Sequence, residues 1–482
     1  MDERRPTRED APDALVRGSA AIPSDAMPRR RTWGRRALGV LAALVLLTLA
    51  NVLATLLLDP YGSLSAVRWS EYRSVARGGI DTIVVGSSVS ERSVDLRVLD
   101  GTLRAKSFSL SSSAQSLEDS YIGIEQAIRD HHVKRAVLGV DYASFSEGSY
   151  PNARMAYLLA RCEGQSLGYR ASALWGLMGS HEFVGTSQSL NFLFPWAFNR
   201  VGMSPRAVVQ NLRQRLDGTT QLEAAQERDP QWHYQGKGYG NYDFVIDYAN
   251  AKELLFSSQY GKKPFREDTL DALRRICDLC RRNGVELTVV VAPCPTFNVL
   301  CYGDYYPQQM PRAQKIVTDA GFRFLDFNLA RSSAYVADES DFLDGEHLNV
   351  SGAARFTKSF GELLARSEAG EGLSQHFYSY DRWDEYLASI DRLSAVTLDE
   401  EPVEGAVRVT ATPYAGLGRR VEYQFYVGER GSDATELVRD WSEDPVFDLP
   451  VTGHGEKVVY VRARLVGSTA EFDRRSNVLV TY

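Results

Sequence analysis

The sequence is poor in cysteine, carries no excess of positive charge and contains no Gly-rich phosphate loop. Five cysteines among 482 residues are too few for a disulfide scaffold, although one or two bridges remain open. The net charge of -7 argues against a nucleic-acid partner. With 44% hydrophobic residues, the composition is that of a globular protein with room for two folded domains.

Two cysteines, Cys277 and Cys280, have the spacing used by redox and zinc sites. They lie in a helix predicted near 266–283, where Ile276 and Leu279 share the same apolar stripe. No second Cys or His pair stands at metal-binding spacing. A buried helix face is therefore favoured over a redox or zinc site, because free cysteine often packs as a small hydrophobe. The sequence predicts neither a metal nor a cofactor.

One apolar run is long enough to cross a membrane. Residues 37–58 contain no charged side chain, and a helix of this length spans the hydrocarbon core. Arginines cluster between 29 and 36, whereas no basic residue lies between Asp59 and Arg68, so a cytoplasmic amino terminus and an extracytoplasmic remainder are predicted. A cleaved signal peptide is the alternative, but the run is too long and no small-residue cleavage site follows it. We predict a single-pass membrane anchor and a disordered cytoplasmic tail at 1–36.

Between residues 75 and 366, short apolar runs alternate with amphipathic helices. Strands are predicted at 80–85, 105–110, 135–142, 285–293 and 322–327, and helices near 115–131, 266–283, 308–320 and 351–366. This alternation predicts an α/β domain with a mostly parallel sheet covered by helices on both faces. Residues 143–265 interrupt the alternation as an inserted lobe, which either shapes an acceptor groove or serves as a structural cap.

The pattern changes again after residue 366. Residues 367–402 are predicted to hold a short amphipathic helix and a linker. From Val403 onward apolar residues alternate with polar ones, as at Val407, Val409 and Ala411, with Gly-rich turns between the runs. We predict a small β-sandwich at 403–482 that resembles immunoglobulin-like domains of bacterial surface proteins, and we interpret it as a binding or spacing module.

Two short segments at opposite ends of the α/β region carry residues suited to acyl chemistry. The first ends a predicted strand at Gly86 and presents Ser88 at the carboxyl edge of the sheet, where open α/β folds bind ligands. The second places Asp344 three residues before His347. In that arrangement the carboxylate orients the imidazole, whose other nitrogen accepts the serine proton. We predict Ser88 as nucleophile, His347 as general base and Asp344 as its partner.

Each of these residues also has a purely structural explanation. Ser88 could satisfy backbone groups in a turn, Asp344 could cap a turn, and His347 could cap the following helix. That explanation gives no reason for the serine loop and the Asp-x-x-His segment to occur together, so the catalytic interpretation is favoured.

Together, Gly86-Ser87-Ser88 and Asp344-x-x-His347-Leu-Asn-x-x-Gly352 resemble the first and last blocks of SGNH (GDSL-like) hydrolases. The resemblance covers about 75–366 and implies a three-layer, flavodoxin-like domain, here preceded by one transmembrane helix and followed by the β-sandwich. The membrane helix, the GSS block and the FLDGEHLNVSGAARF ending most resemble the membrane-anchored acyltransferase branch, which includes DltD-type proteins and alginate O-acetyltransferases. That branch implies a multispanning membrane-bound O-acyltransferase as partner and a cell-surface polymer as acceptor.

The resemblance also places the oxyanion-binding blocks near 109–113 and 138–141, but neither segment holds the expected Asn donor. Loss of one such donor costs about 10²–10³ in rate in other acyl-transfer enzymes. The candidate donors are therefore the backbone amide of Ser88 and the hydroxyls of Ser111 and Ser113.

These features favour an extracytoplasmic, membrane-anchored serine acyltransferase that moves a small acyl group, acetyl in the first instance, onto a cell-surface polysaccharide or teichoic acid-like polymer. Two alternatives stay open. The same residues could de-esterify the polymer as a carbohydrate esterase, or the chain could be a non-catalytic polymer-binding scaffold.

Overall fold

The computed structural model describes residues 29–148, 150–178, 194–198, 200–202, 204–255, 262–431 and 434–482. Most of the predicted tail at 1–36 therefore lies outside the described residues. The chain divides into two units, residues 1–56 and 57–482. Helix α1 (Arg29–Leu58) belongs to the first unit up to residue 56. It begins before the predicted residue 37, because arginine is a good helix former and apolarity marks only the part that suits a membrane. Its stretch Gly34–Leu58 is long and apolar enough to span one.

The second unit begins with the α/β region and its inserted lobe. The first half of the region comprises α2 (Leu64–Ser74), β1 (Thr82–Gly86), α3 (Ser88–Ser93), α4 (Leu96–Leu103), β2 (Ser107–Ser109), α5 (Leu117–His131), β3 (Arg135–Val140) and α6 (Ala143–Ser146). The described lobe comprises α7 (Pro151–Cys162), α8 (Leu167–Met178), α9 (Pro195–Phe198), α10 (Pro205–Leu216), α11 (Gln221–Arg228), β4 (His233–Gly236), β5 (Tyr239–Asn241) and α12 (Ala251–Leu254). The second half comprises α13 (Glu267–Asn283), β6 (Glu286–Val291), α14 (Thr296–Cys301), α15 (Tyr305–Asp319), β7 (Arg323–Asp326) and α16 (Val350–Glu368).

Five parallel strands form the central sheet in the order β2-β1-β3-β6-β7. The predicted α/β class and parallel sheet are confirmed. The strand order changes direction at β1, because the chain first adds β2 on one side and then β3, β6 and β7 on the other. A crevice at the carboxyl ends of β1 and β3 is the expected ligand position in a sheet of this kind.

The sheet is buried on both faces, which explains the nearly continuous apolar strands. On β1, Ile83 and Val85 join a core with α2, α5, α13 and α15, whereas Val84 joins a second core with α3, α4 and α16. Cys277 and Cys280 lie in the first core, where burial raises the pKa of each thiol to about 12. All five cysteines are unpaired.

After α17 (Trp383–Ser389) the chain forms an antiparallel β region of two sheets, ordered β12-β9-β8 and β11-β10-β13-β14. Its strands are β8 (Leu393–Val403), β9 (Ala406–Ala415), β10 (Val421–Gly428), β11 (Thr435–Ser442), β12 (Val446–Pro450), β13 (Glu456–Leu465) and β14 (Arg474–Thr481). The region thus begins before the predicted boundary at 403. Strand β8 escaped prediction because both of its faces are covered: Val396 packs among the β strands and Ala395 against the α/β region, so no alternation appears.

Candidate active site

Ser88 is the first residue of α3, and only Ser87, the residue that caps this helix, separates it from the end of β1 at Gly86. Two glycines allow this helix to pack closely on the sheet. A Cβ on Gly86, which has φ +146°, would lie 2.2 Å from the Gly139 carbonyl oxygen. A Cβ on Gly139 would lie 2.4 Å from the Cβ of Ser90. A larger residue at either glycine would displace the helix, so Gly86 and Gly139 together keep Ser88 at the carboxyl end of β1.

The loop before α16 carries Asp344 and His347. Asp344 Oδ1 accepts hydrogen bonds from the backbone amides of Glu346 (2.8 Å) and His347 (2.9 Å), which gives the loop a tight turn. A Cβ on Gly345 would lie 2.0 Å from the Leu254 carbonyl oxygen. Asn349 then caps α16 by accepting from the Gly352 amide at 3.0 Å. These contacts hold the imidazole of His347 at the start of a long helix.

The structure brings the three predicted residues together. His347 Nε2 lies 2.9 Å from Ser88 Oγ, and His347 Nδ1 lies 2.9 Å from each carboxylate oxygen of Asp344. This is the order of contacts in which a carboxylate orients a histidine and the histidine activates a serine hydroxyl.

The charge on Asp344 is stabilised by its partners. Burial by itself would raise the pKa of Asp344, but the hydrogen bond and charge of His347, with the two backbone amides, hold that pKa below its ordinary value. Arg92 Nη1 is 3.9 Å from Asp344 Oδ2, and its guanidinium also lies over the Tyr242 ring. Asp344 is therefore ionised at neutral pH and suited to orient the imidazole.

Ser88 opens onto a cavity of about 890 Å³. The α/β region supplies one part of its wall, and residues between 143 and 176 of the inserted lobe supply another. Among the described residues, the aromatic lining consists of Tyr121, Tyr150, Tyr157 and Tyr169. The charged lining consists of Glu118, Asp119, Glu125, Asp141, Glu147, Asp268 and Glu346 with Arg129, Arg154, Arg161 and Arg275. The cavity is large enough for a sugar-sized group beside Ser88.

Two carboxyl side chains of this wall belong to neighbours of the three site residues. Asp141 follows β3, and its Oδ2 accepts from the Ser87 hydroxyl at 3.1 Å. Glu346 stands directly before His347. Burial, followed by the negative charges of Asp141 and Asp344, raises the pKa of Glu346 to about 8.

The hydroxyls of the two serines predicted as oxyanion donors form hydrogen bonds with other side chains. Ser111 is fully buried, with its hydroxyl 3.1 Å from Ser90 Oγ, and Ser113 donates its hydroxyl to Glu91 at 3.2 Å. Neither lines the described cavity. The same loop instead contributes Ala114, at φ +53°, together with residues that follow it. In this segment Ser109, Ser111 and Ser112 are buried, where their hydroxyls can satisfy buried groups, whereas Ser113 is exposed.

The backbone amide of Ser88 stays a candidate oxyanion donor. It belongs to the first turn of α3, whose amides lack partners within the helix. Sequence reasoning assigned no role to Asp141 or Glu346, although both fall in segments that it singled out. The position of Glu346 between Asp344 and His347 was the available signal, since a residue inside that turn has to lie near the serine.

No protein-family model and no curated protein sequence matches this chain. Among solved structures, β-glucosidase 3B from Thermotoga neapolitana matches in complexes with glycerol and with glucose. Identities are 11% and 12%, over 84% and 85% of this chain and 75% and 76% of the other chain, with a TM-score of 0.12 in both cases. A likeness at this TM-score supports no conclusion about function.

Proposed function

We propose that this protein is a membrane-anchored serine acyltransferase that transfers a small acyl group, acetyl in the first instance, to a hydroxyl of a cell-surface polymer. The observation that carries the proposal is the 2.9 Å contact between Ser88 Oγ and His347 Nε2, with Asp344 on the other ring nitrogen. A serine in this arrangement is suited to nucleophilic attack on an ester or thioester carbonyl.

The proposed reaction has two half-steps through one covalent intermediate. Ser88 Oγ attacks the donor carbonyl while His347 Nε2 takes the hydroxyl proton, and the leaving group departs with that proton. The acyl group then forms an ester with Ser88. In the second half-step an acceptor hydroxyl gives its proton to His347 and attacks this ester, after which Ser88 regains the proton. Asp344 keeps the imidazole in the tautomer that both steps need.

The lining of the cavity suits a polyol acceptor. Seven carboxyl side chains and four arginines line its described part. Glu147 and Asp268 pair with Lys263 and Arg266, and the raised pKa of Glu346 favours its neutral form at pH 7, so the charges of this wall are close to balanced. Tyr150 in the same wall is 41% exposed, and a tyrosine ring with its hydroxyl suits a sugar ring. A polysaccharide hydroxyl therefore fits this site as acceptor.

The apolar helix α1 supports a membrane location. Its arginine-rich amino-terminal flank favours a cytoplasmic amino terminus, with Ser88 on the extracytoplasmic side. A membrane tether raises the effective concentration of the acyl donor near Ser88 when the donor is delivered at the same membrane. We therefore include a multispanning membrane-bound O-acyltransferase as partner in the proposal.

Acyl content of the surface polymer tests this function directly. Ser88→Ala and His347→Ala in the full-length chain are each expected to remove acyl groups from the polymer in cells, measured by mass spectrometry of released sugars. Because the two residues act as a unit, the double substitution should be barely worse than either one. A rise in polymer acylation would identify an esterase instead, and unchanged acylation would favour a polymer-binding scaffold.

A further inference from the structure

The carboxyl group of Glu346 has an unusual position. It lines the cavity beside Ser88, and no hydrogen bond to its side chain is formed within the described ranges of the chain. Its backbone amide donates to Asp344 Oδ1 at 2.8 Å, so the tight turn ties Glu346 to the same carboxylate that orients His347. A half-buried carboxyl without a partner is costly unless it meets a ligand or keeps its proton.

The surroundings of Glu346 keep its proton in place. Asp141, after β3, accepts from Ser87 Oγ (3.1 Å), the Ser144 amide (2.6 Å) and Ser144 Oγ (2.7 Å), so it acts as an acceptor. Asp344 is the acceptor for His347. With burial and these two charges nearby, the pKa of Glu346 rises to about 8.

The other titratable groups that face Glu346 remain neutral over the same pH range. Cys294 follows β6, and burial followed by the charge of Glu346 raises the pKa of its thiol well above the ordinary value. Tyr302 follows α14, and burial, then Cys294 and Glu346, raise the pKa of its hydroxyl in the same way. Arg92, the nearby cation, lies 3.9 Å from Asp344 Oδ2. Of these three side chains, Glu346 is therefore the one expected to change its charge between pH 7 and 9.

The proposed chemistry needs a hydrogen-bond donor at this place. Attack by Ser88 leaves a negative oxygen on the former carbonyl carbon, and donors aimed at that oxygen supply much of the rate in acyl transfer. The hydroxyls of Ser111 and Ser113 are engaged elsewhere. The Ser88 amide is the one backbone donor assigned so far, and a second donor from the cavity wall would strengthen its effect. A carboxylic acid kept neutral by its surroundings can donate to an oxyanion.

We propose that Glu346, in its carboxylic acid form, donates a hydrogen bond to the oxyanion that forms at Ser88. This inference rests on the proposed function. The proton stays on Glu346 throughout the step, and its O–H forms a hydrogen bond to the substrate oxygen. Proton transfer between Ser88 and His347 is unchanged. An ionised Glu346 would repel the oxyanion, and the acylation step therefore depends on its protonation.

The test is the rate of Ser88 acylation by p-nitrophenyl acetate, measured as the single-turnover burst of the detergent-solubilised full-length chain between pH 6 and 10. We expect the wild-type rate to fall as pH rises through about 8. Glu346→Gln keeps a neutral donor of the same size, so its rate should stay within tenfold of the wild type at pH 7 and show no fall near pH 8. Glu346→Ala should lose about 10²–10³ in rate.

Glu362→Gln is the matched control, because Glu362 is exposed on α16 outside the cavity lining and should leave the rate and its pH dependence unchanged. The inference is overturned if Glu346→Ala acylates Ser88 as fast as the wild type does. It is also overturned if the rate of the wild type rises through pH 8, since that would mark Glu346 as an ionised general base. Peptide mass spectrometry separates this failure from that of the proposed function. Acyl-Ser88 in the wild type with a normal rate in Glu346→Ala overturns the inference alone, whereas absence of acyl-Ser88 from the wild type overturns both.

Discussion

His347 Nε2 and Ser88 Oγ lie 2.9 Å apart although 259 positions separate the two residues in the chain. A buried threonine of α16 helps to maintain this contact. Thr357 donates its hydroxyl to the Ser93 carbonyl oxygen at 3.0 Å and accepts from the Asp95 amide at 2.9 Å. The link between α3 and α4 is thereby joined to the helix that follows His347, so the two halves of the site share one set of contacts.

Replacement of Thr357 tests this link. Thr357→Val leaves a buried amide and a buried carbonyl without their partner, which is expected to lower the free energy of unfolding by about 1–3 kcal/mol. The burst rate with p-nitrophenyl acetate should fall as well, because α3 and α16 lose their alignment. Thr357→Ser keeps the hydroxyl and serves as the control. Equal stability of the Val and Ser variants in urea denaturation would contradict the role of these hydrogen bonds.

Replacement of Asp344 tests the orientation of the imidazole. Asp344→Asn is expected to lower kcat by about 10²–10⁴, because an amide no longer holds His347 in the required tautomer. The double variant with His347→Ala should be no slower than His347→Ala alone, since the pair acts as a unit. Independent, multiplicative losses in steady-state kinetics would show that Asp344 acts outside this pair.

The side-chain contacts of Ser111 and Ser113 predict a contrast with Ser88. Ser113→Ala should leave the acylation rate within about threefold of the wild type, because its hydroxyl bonds to Glu91 and a typical hydrogen bond contributes only about 1 kcal/mol. Ser111→Ala should lower the melting temperature slightly, through loss of its contact with Ser90, and spare the rate. Ser88→Ala should abolish the burst. A loss of about 10²-fold in Ser113→Ala would restore the sequence-based assignment.

The helix that begins at Ser88 is anchored by a buried ion pair between Arg68 and Glu91, each side chain being 2% exposed. Glu91→Gln leaves the Arg68 charge buried without its counter-charge, which is expected to cost about 3–5 kcal/mol in chemical denaturation. Asp448→Asn breaks the exposed pair with Arg408 and should change stability little. Similar, small effects of the two substitutions would show that water reaches Arg68.

The raised pKa of Glu346 also predicts how stability depends on pH. Its ordinary value is 4.5 and its value in the folded chain is about 8. The folded state therefore binds the proton more tightly than the unfolded state, so this contribution is complete below pH 4.5 and is lost as pH rises through about 8. The difference between the melting temperatures of Glu346→Gln and the wild type should increase from pH 4.5 to about 8 and then level off. A constant difference would show that Glu346 ionises normally in the fold.

Much of the architecture could be predicted from the sequence because the relevant signals are local. The alternation of apolar strands and amphipathic helices predicted the parallel sheet, and an uncharged apolar run predicted α1. The placement of Ser88 after β1 followed from a strand that stops at Gly86. Asp344 and His347 lie within one turn, so their mutual contact was a short-range prediction.

Tertiary structure decided the features that depend on residues distant in sequence. Strand β8 is covered on both faces by different parts of the chain, so its pattern carries no period. Ser111 and Ser113 form hydrogen bonds with Ser90 and Glu91, and no local pattern predicts these contacts. The protonation of Glu346 depends on burial and on Asp141, which comes from another strand end. Sequence by itself determined which chemical groups are present and which local elements carry them, whereas only the fold decided which groups are desolvated and which charges they face.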